Sequence, residues 1–156
     1  MSQLKKPFAL VVSRFNEEIN AGLRQGALEY LKEKGYETQD ADIYEAPGAF
    51  EIPLIAQKVA KTGKYSGIIC LGCVIKGDTA HFEFISLGTT LGLIQSMLAT
   101  EVPITFGVLT TYTEEQALIR SRPSSGAKRK DLETNKGREA AAACIETAEL
   151  LATLDS

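Results

Sequence analysis

The chain has little of what small proteins use in place of a core. Its 156 residues include three cysteines and one histidine, too few for a disulfide framework or for a zinc site with two ligand pairs. It has no excess of positive charge, with 17 Lys and Arg against 20 Asp and Glu and a net charge of −3. That argues against a nucleic-acid binder and gives a membrane surface no electrostatic hold. No apolar run approaches the ~20 residues of a bilayer span. The opening MSQLKKPFALVVSRF is interrupted at Arg14, unlike a signal peptide, and neither an internal repeat nor a low-complexity tract is evident. What remains is the composition of one soluble domain over residues 1–156, 44% hydrophobic and 24% charged. That is enough to bury its own core, and the expected compartment is the cytoplasm.

Cys70 and Cys73 form a C-x-x-C, but they fall in an apolar run that reads as a strand. Residues three apart on a strand point to opposite faces, so the pair shares neither a disulfide nor a metal. Cys70 and Cys144 read as small core hydrophobes.

Apolar runs alternate with helical periodicities along the chain. FALVVS, 8–13, predicts a strand buried on both faces. Asn16 is placed to cap a helix with Ile19, Leu23, Ala27, Tyr30 and Leu31 at helical spacing, stopped by Gly35. A polar edge strand is expected over about 37–46. Pro47-Gly48 turns the chain into a second helix through Leu54, Val59 and Ala60, ended by Thr62-Gly63. A third strand over 68–75, a third helix over about 80–100 and a fourth strand over 104–110 follow. A short helix over about 114–120 and a last one over 136–154 complete the series. Gly88, Thr89, Thr90 and Gly92 in the third helix suggest close packing on a neighbour. RPSSGAKRKDLE, 122–133, reads as a polar, basic connector. Alternation of this kind predicts a three-layer α/β/α sandwich around a four-stranded parallel sheet of flavodoxin-like order 2-1-3-4.

That order reverses between strands one and three, and ligands of such sheets bind outside the carboxyl ends at the reversal. Phe15, the PGAFE turn (47–51) and the GDTAH loop (77–81) all fall there. The last joins a buried strand to a new helix N-terminus, where unpaired N–H groups and the helix dipole favour an anion. His81 lies in the first turn, and a positive helix end leaves a neutral imidazole free to take a proton. Singly, each residue has a plainer reading. A lone histidine is more often a polar surface residue, Thr79 only a cap, Glu51 an acid suited to a helix dipole, and Phe15 a core aromatic. Their convergence at one sheet end favours an enzyme acting on a phosphorylated metabolite.

Five pieces then stand in order at compatible spacing over most of the chain: SRFN (13–16), PGAFEIP (47–53), LGCVIKGDTAHFEFI (71–85), PITFGVLTT (103–111) and NKGREAA (135–141). Together they resemble lumazine synthase, the penultimate enzyme of riboflavin biosynthesis. The resemblance implies condensation of 5-amino-6-(ribitylamino)uracil with 3,4-dihydroxy-2-butanone 4-phosphate to 6,7-dimethyl-8-ribityllumazine, without metal or organic cofactor. It implies proton transfer by His81. Phe15, Ala49, Phe50, Glu51, Cys73, Val74, Ile75, Phe106 and Lys136 would surround the ribitylaminouracil, and Asp78, Thr79 and Arg120 the butanone phosphate. Phe15 offers the ring a flat apolar face, Glu51 accepts from ribityl hydroxyls, and 73–75 read the ring through backbone groups. Phe106, near the start of the fourth strand, is assigned to the site of an adjacent subunit, as in the pentameric rings of the family.

Three departures go with the resemblance. The segment between Arg120 and Asn135 is longer than the family's usual turn, and its Arg122, Lys128, Arg129 and Lys130 compete with Arg120 for the phosphate. The same segment is expected to hinder closure of pentamers into icosahedral shells. Asp78 puts an acid beside a phosphate and must turn away, and Cys73 stands where threonine is commoner. The alternatives are a ring-binding module without turnover and a structural pentamer keeping a relic site. His81 with Thr79 favours the enzyme, since a passive ring binder needs neither. Small-molecule substrates, a homopentamer, no nucleic acid and no membrane complete the expectation.

Overall fold

The computed structural model describes residues 4–122 and 135–155. Of the connector expected at 122–133 only Arg122 is among them, so Lys128, Arg129 and Lys130 lie outside the described residues. Four parallel strands, β1 (Phe8–Ser13), β2 (Ile43–Ala46), β3 (Gly67–Ile75) and β4 (Ile104–Thr111), form one sheet in the order β2-β1-β3-β4.

The central strands are buried because both faces are covered. Phe8, Leu10, Val12, Ile69 and Leu71 point into one core with Leu23 and Leu31 of α1 (Glu17–Glu33). Ala141 and Ile145 reach the same core from the C-terminal helix, Lys136–Leu154. Ala9, Val11, Ile68 and Cys70 point the other way, against Ile52, Ala56 and Val59 of α2 (Ile52–Lys61) and Leu93 of α3 (His81–Thr100). The two-residue period of a strand thus turns continuous apolar runs into two separate cores. Cys73 joins the first core and Cys70 the second, and all three cysteines are free. Burial pushes the Cys144 thiol up to about 12, so it stays neutral, as a core hydrophobe should.

Several bounds coincide with the sequence reading, among them β1, the short helix α4 (Glu114–Arg120) and α5 (Lys136–Leu154). In α4 a capping box fixes the start: the Gln116 N–H donates to Thr113 Oγ1 at 3.1 Å, and Gln116 Oε1 accepts from the Thr113 N–H at 3.4 Å. Two expectations are corrected. β2 begins at Ile43, because Asp40–Asp42 forms a 3-10 turn. There the Asp42 carboxylate accepts the Gln39 N–H at 2.9 Å and the Tyr65 hydroxyl at 3.0 Å, so polar residues that would blunt a strand edge close a turn instead. Asn16 precedes α1 but gives it no side-chain cap. Its backbone is left-handed (φ 66), a region asparagine tolerates better than most residues, and its Nδ2 donates to Cys73 O at 2.9 Å.

α3 departs furthest from what hydropathy suggests. It runs 20 residues with a mean hydropathy of 1.3 over its most apolar window, long and apolar enough to cross a membrane by length and composition alone. The expectation that no segment reaches that length is corrected here. Around Leu93 its inward face is small and polar: Thr89 and Ser96 are buried, and Ser96 Oγ donates to Pro53 O at 3.2 Å. A Cβ at Gly92 would meet the Pro53 ring at 2.8 Å and one at Gly88 the Phe50 ring at 2.9 Å, so α2 and the turn before it are the close neighbour. The large apolar residues Phe84, Leu87, Leu91, Ile94 and Leu98 are exposed. Their alternating spacing of three and four is that of a coiled-coil seam.

One buried side chain joins the two ends of the undescribed segment. Asn135 is fully buried. Its Nδ2 donates to Arg122 O at 2.6 Å and Gly22 O at 3.3 Å, while its Oδ1 caps α5 by accepting the Arg138 N–H at 3.0 Å. Asn135→Ala removes both ties and the cap of α5 together, where loss of a cap alone costs about 0.5–2 kcal/mol. Thermal or denaturant unfolding is expected to show a loss of about 2–4 kcal/mol, and a loss under about 1 kcal/mol would mean the joint is not structural.

Candidate active site

The carboxyl ends of the strands form the site because they stop at different heights. The β1–β3 ladder ends at Val12↔Leu71, while β3–β4 continues to Ile75↔Thr111. Residues 73–75 therefore overhang β1 and keep the strand edge facing it free of sheet pairing. One oxygen on that edge, Cys73 O, accepts from Asn16.

Phe15 rises beside the overhang, its ring 70% exposed, and its backbone is held at several points. Its N–H donates to Ser13 Oγ at 3.1 Å. Asn20, itself buried, donates through Nδ2 to Ser13 O at 2.7 Å and to Phe15 O at 2.6 Å. A large exposed aromatic on an immobilised backbone is a platform for a flat ligand. The Ala49–Glu51 3-10 turn places Phe50, also largely exposed, and Glu51 opposite β1's end. From the third side comes the turn that links β3 to α3.

These parts enclose a cavity of about 470 Å³, the size of a small-molecule site. Of the residues singled out in the sequence, Phe15, Ala49, Phe50, Glu51, Cys73, Val74, Ile75, Thr79 and His81 line it. Sequence reasoning missed Asn16, Gly48, Gly77, Phe82 and Ile85, which line it as well. Phe82 and Ile85 had a signal, as the apolar members of HFEFI three apart at a helix start. Asp78, expected beside the phosphate, is exposed and outside the lining.

At the turn, the His81 N–H donates to Thr79 Oγ1 at 3.3 Å, and no side chain caps α3. Among the described residues none accepts from the backbone N–H groups of Gly77, Asp78, Thr79 or Ala80. Free donors beside a helix start suit a phosphate. Burial raises the Cys73 thiol to about 12, which leaves it neutral and no nucleophile.

Besides Asp78, three of the expected ligands are not in this cavity. Phe106, Arg120 and Lys136 line a second one, also about 470 Å³, with Val108, Thr110, Ile119 and Glu139. Phe106 faces away from the β3–α3 turn because it is the third residue of a strand whose far end carries the site. The Arg120 guanidinium donates to Gln116 O at 3.0 Å within α4. One chain therefore has Phe15, Glu51 and His81 on one cavity and Phe106, Arg120 and Lys136 on another.

Comparison with known proteins agrees over nearly the whole chain. A family model described as 6,7-dimethyl-8-ribityllumazine synthase matches residues 5–152. A Caulobacter vibrioides protein named 6,7-dimethyl-8-ribityllumazine synthase 1 is 57% identical over 143 residues, 92% of this chain and 88% of that one. A Salinibacter ruber protein named 6,7-dimethyl-8-ribityllumazine synthase is 46% identical over 148 residues, 95% and 90% of the two chains.

Proposed function

The chain belongs to the 6,7-dimethyl-8-ribityllumazine synthase family, and from that premise we propose which residues of the rim cavity perform the reaction. It is a transferase of riboflavin biosynthesis, condensing 5-amino-6-(ribitylamino)uracil with 3,4-dihydroxy-2-butanone 4-phosphate. The pyrimidine stacks on Phe15, with its edge along the overhanging backbone of Cys73, Val74 and Ile75. The ribityl chain runs to Glu51 and the backbone of Ala49 and Phe50. The phosphate sits on the free N–H groups of the turn and the Thr79 hydroxyl, with the Asp78 carboxylate turned outward. The observation that carries this reading is that Phe15, Glu51 and His81, from three separate loops, line one cavity.

In the reaction the 5-amino nitrogen attacks the ketone carbon, and water leaves as the imine forms. Phosphate is then eliminated, and the ribityl-bearing nitrogen closes the ring with loss of a second water. Each step moves a proton, and His81 is the side chain placed to move it. General acid–base help is typically worth ~10²–10⁴-fold, and holding two substrates together supplies much of the rest. His81→Ala is therefore expected to slow turnover by about 10²-fold without abolishing it. Lumazine fluorescence after mixing both substrates reads this directly. A wild-type protein no faster than the uncatalysed mixture sinks the assignment, and a wild-type rate in His81→Ala removes that residue from the chemistry.

The proposed working form is a homopentamer with sites shared between neighbours, in the cytoplasm. Two features support sharing. Phe106, Arg120 and Lys136 form an aromatic–cationic cavity distinct from the substrate cavity of their own chain, and α3 leaves its apolar seam uncovered. The seam suits protein better than lipid, because Glu83, Thr90 and Gln95 on the same helix are exposed too and interrupt any all-round apolar surface. Free thiols suit the reducing compartment.

A further inference from the structure

Lys76, Tyr112 and Phe82 form a cluster to which the reaction above gives no role. β3 and β4 end side by side, and the Lys76 N–H donates to Thr111 O at 2.9 Å just past the last ladder pair. From there one chain enters the turn 77–81 and the other the start of α4. Tyr112 is fixed on the α4 side, where its N–H donates to Gln116 Oε1 at 2.9 Å. Its ring is 67% exposed, yet it meets both ends of the neighbouring turn. Lys76 Nζ lies 5.7 Å from the ring centroid, within cation–π range. The Phe82 ring lies 6.1 Å away with the planes at 43°, within the range of aromatic pairs. Lys76 immediately precedes Gly77, and Phe82 immediately follows His81.

We propose that Tyr112 is a positioning residue that clamps the turn 77–81 by both ends and so sets His81 and the free N–H groups against the phosphate of the substrate. The proposal rests on the reading of that turn as a phosphate site. The turn needs such a brace: no side chain caps α3, and its one internal side-chain bond, His81 N–H to Thr79, is long. Tyr112 acts through its ring, so phenylalanine should replace it.

The sole histidine makes the test direct, because the imidazole Cε1–H signal in an NMR spectrum belongs to His81 alone. Inorganic phosphate, titrated at constant pH and ionic strength, is the probe. Tyr112→Ala is expected to move the His81 signal and to weaken phosphate about 3- to 10-fold. The KM of the phosphorylated substrate should rise comparably, with that of the pyrimidine unchanged. Tyr112→Phe is expected to restore wild-type values in all three. A Tyr112→Ala protein with an unmoved His81 signal and an unchanged phosphate titration overturns the clamp. So does an equal rise in both KM values, or a phenylalanine variant that fails to restore. A wild-type protein without synthase activity would sink the functional reading and leave the signal and the titration to judge the clamp.

Discussion

A protein carrying Leu91→Glu and Ile94→Glu together is expected to sediment as a single chain and to make almost no product. Both side chains lie mid-seam on α3, 49% and 42% exposed, and neither belongs to the cores of the chain. Covering such a side chain is worth about 1.5–3 kcal/mol. A ring of subunits would bury it once per copy, whereas glutamates would bring like charges to a common axis. The fold should survive, and circular dichroism would show it. Activity should not, since each cavity would lose the Phe106, Arg120 and Lys136 of its neighbour at once. Loss of one such charged donor commonly costs ~10²–10³-fold, so a fall of at least about 10³-fold is expected. A complementary experiment separates sharing from mere assembly. Glu51→Ala and Arg120→Ala chains, each poorly active, are unfolded together and refolded. In a head-to-tail ring, about a quarter of the mixed sites would regain both intact halves. An active single chain, or a mixture no better than its parents, would refute the shared site.

Gly137→Ala should be the most damaging single methyl group in the protein. Gly137 sits in the first turn of α5 where α5 crosses α1, and an added Cβ would overlap the backbone carbonyl of Leu23. Two effects oppose each other. Alanine is the better helix former by about 1 kcal/mol, although less so this near a helix start. Overpacking against backbone costs typically 1–3 kcal/mol, occasionally more, and no side-chain rotation relieves it here. The clash wins, because α1 and α5 must separate along a face that holds Leu23, Ala140 and Ala141 in one core. The expected net loss is about 2–4 kcal/mol, or a fall in Tm of about 4–16 °C. A Tm within ~2 °C of wild type would mean that α5 shifts freely.

Much of this architecture was legible in the residues. The strands read from unbroken apolar runs, and a sheet covered on both sides is the arrangement that makes such runs. α4 and α5 were read without their caps, Thr113 and Asn135, whose side chains fix those starts. Asn16 misled because a capping residue type also serves left-handed turns, and here it closes the turn that presents Phe15. β2 was drawn too long because Asp42 looks the same at a strand edge and in a 3-10 turn, and the tyrosine that claims it is Tyr65, 23 positions on. α3 escaped notice as a span-length helix because its glycines, serines and threonines break the apolar count. Several of those residues, Gly88, Thr89, Gly92 and Ser96, lie on its inner side beside Leu93, while five large apolar side chains lie outside. The first cavity was legible from three loops at one sheet end. The second was legible only in part: its place near the start of β4 set Phe106 apart from those loops, but no periodicity joined it to Arg120 and Lys136.

The joint at Asn135 has a consequence for building with this protein. Arg122 and Asn135 are tied directly together, so the two points where a sequence between them is attached lie side by side. The entropy of closing such a span grows only logarithmically, about 0.6 kcal/mol for each doubling of length. A guest peptide or a small folded module spliced into residues 123–134 is therefore an address for display, with one copy carried by every chain of an assembly.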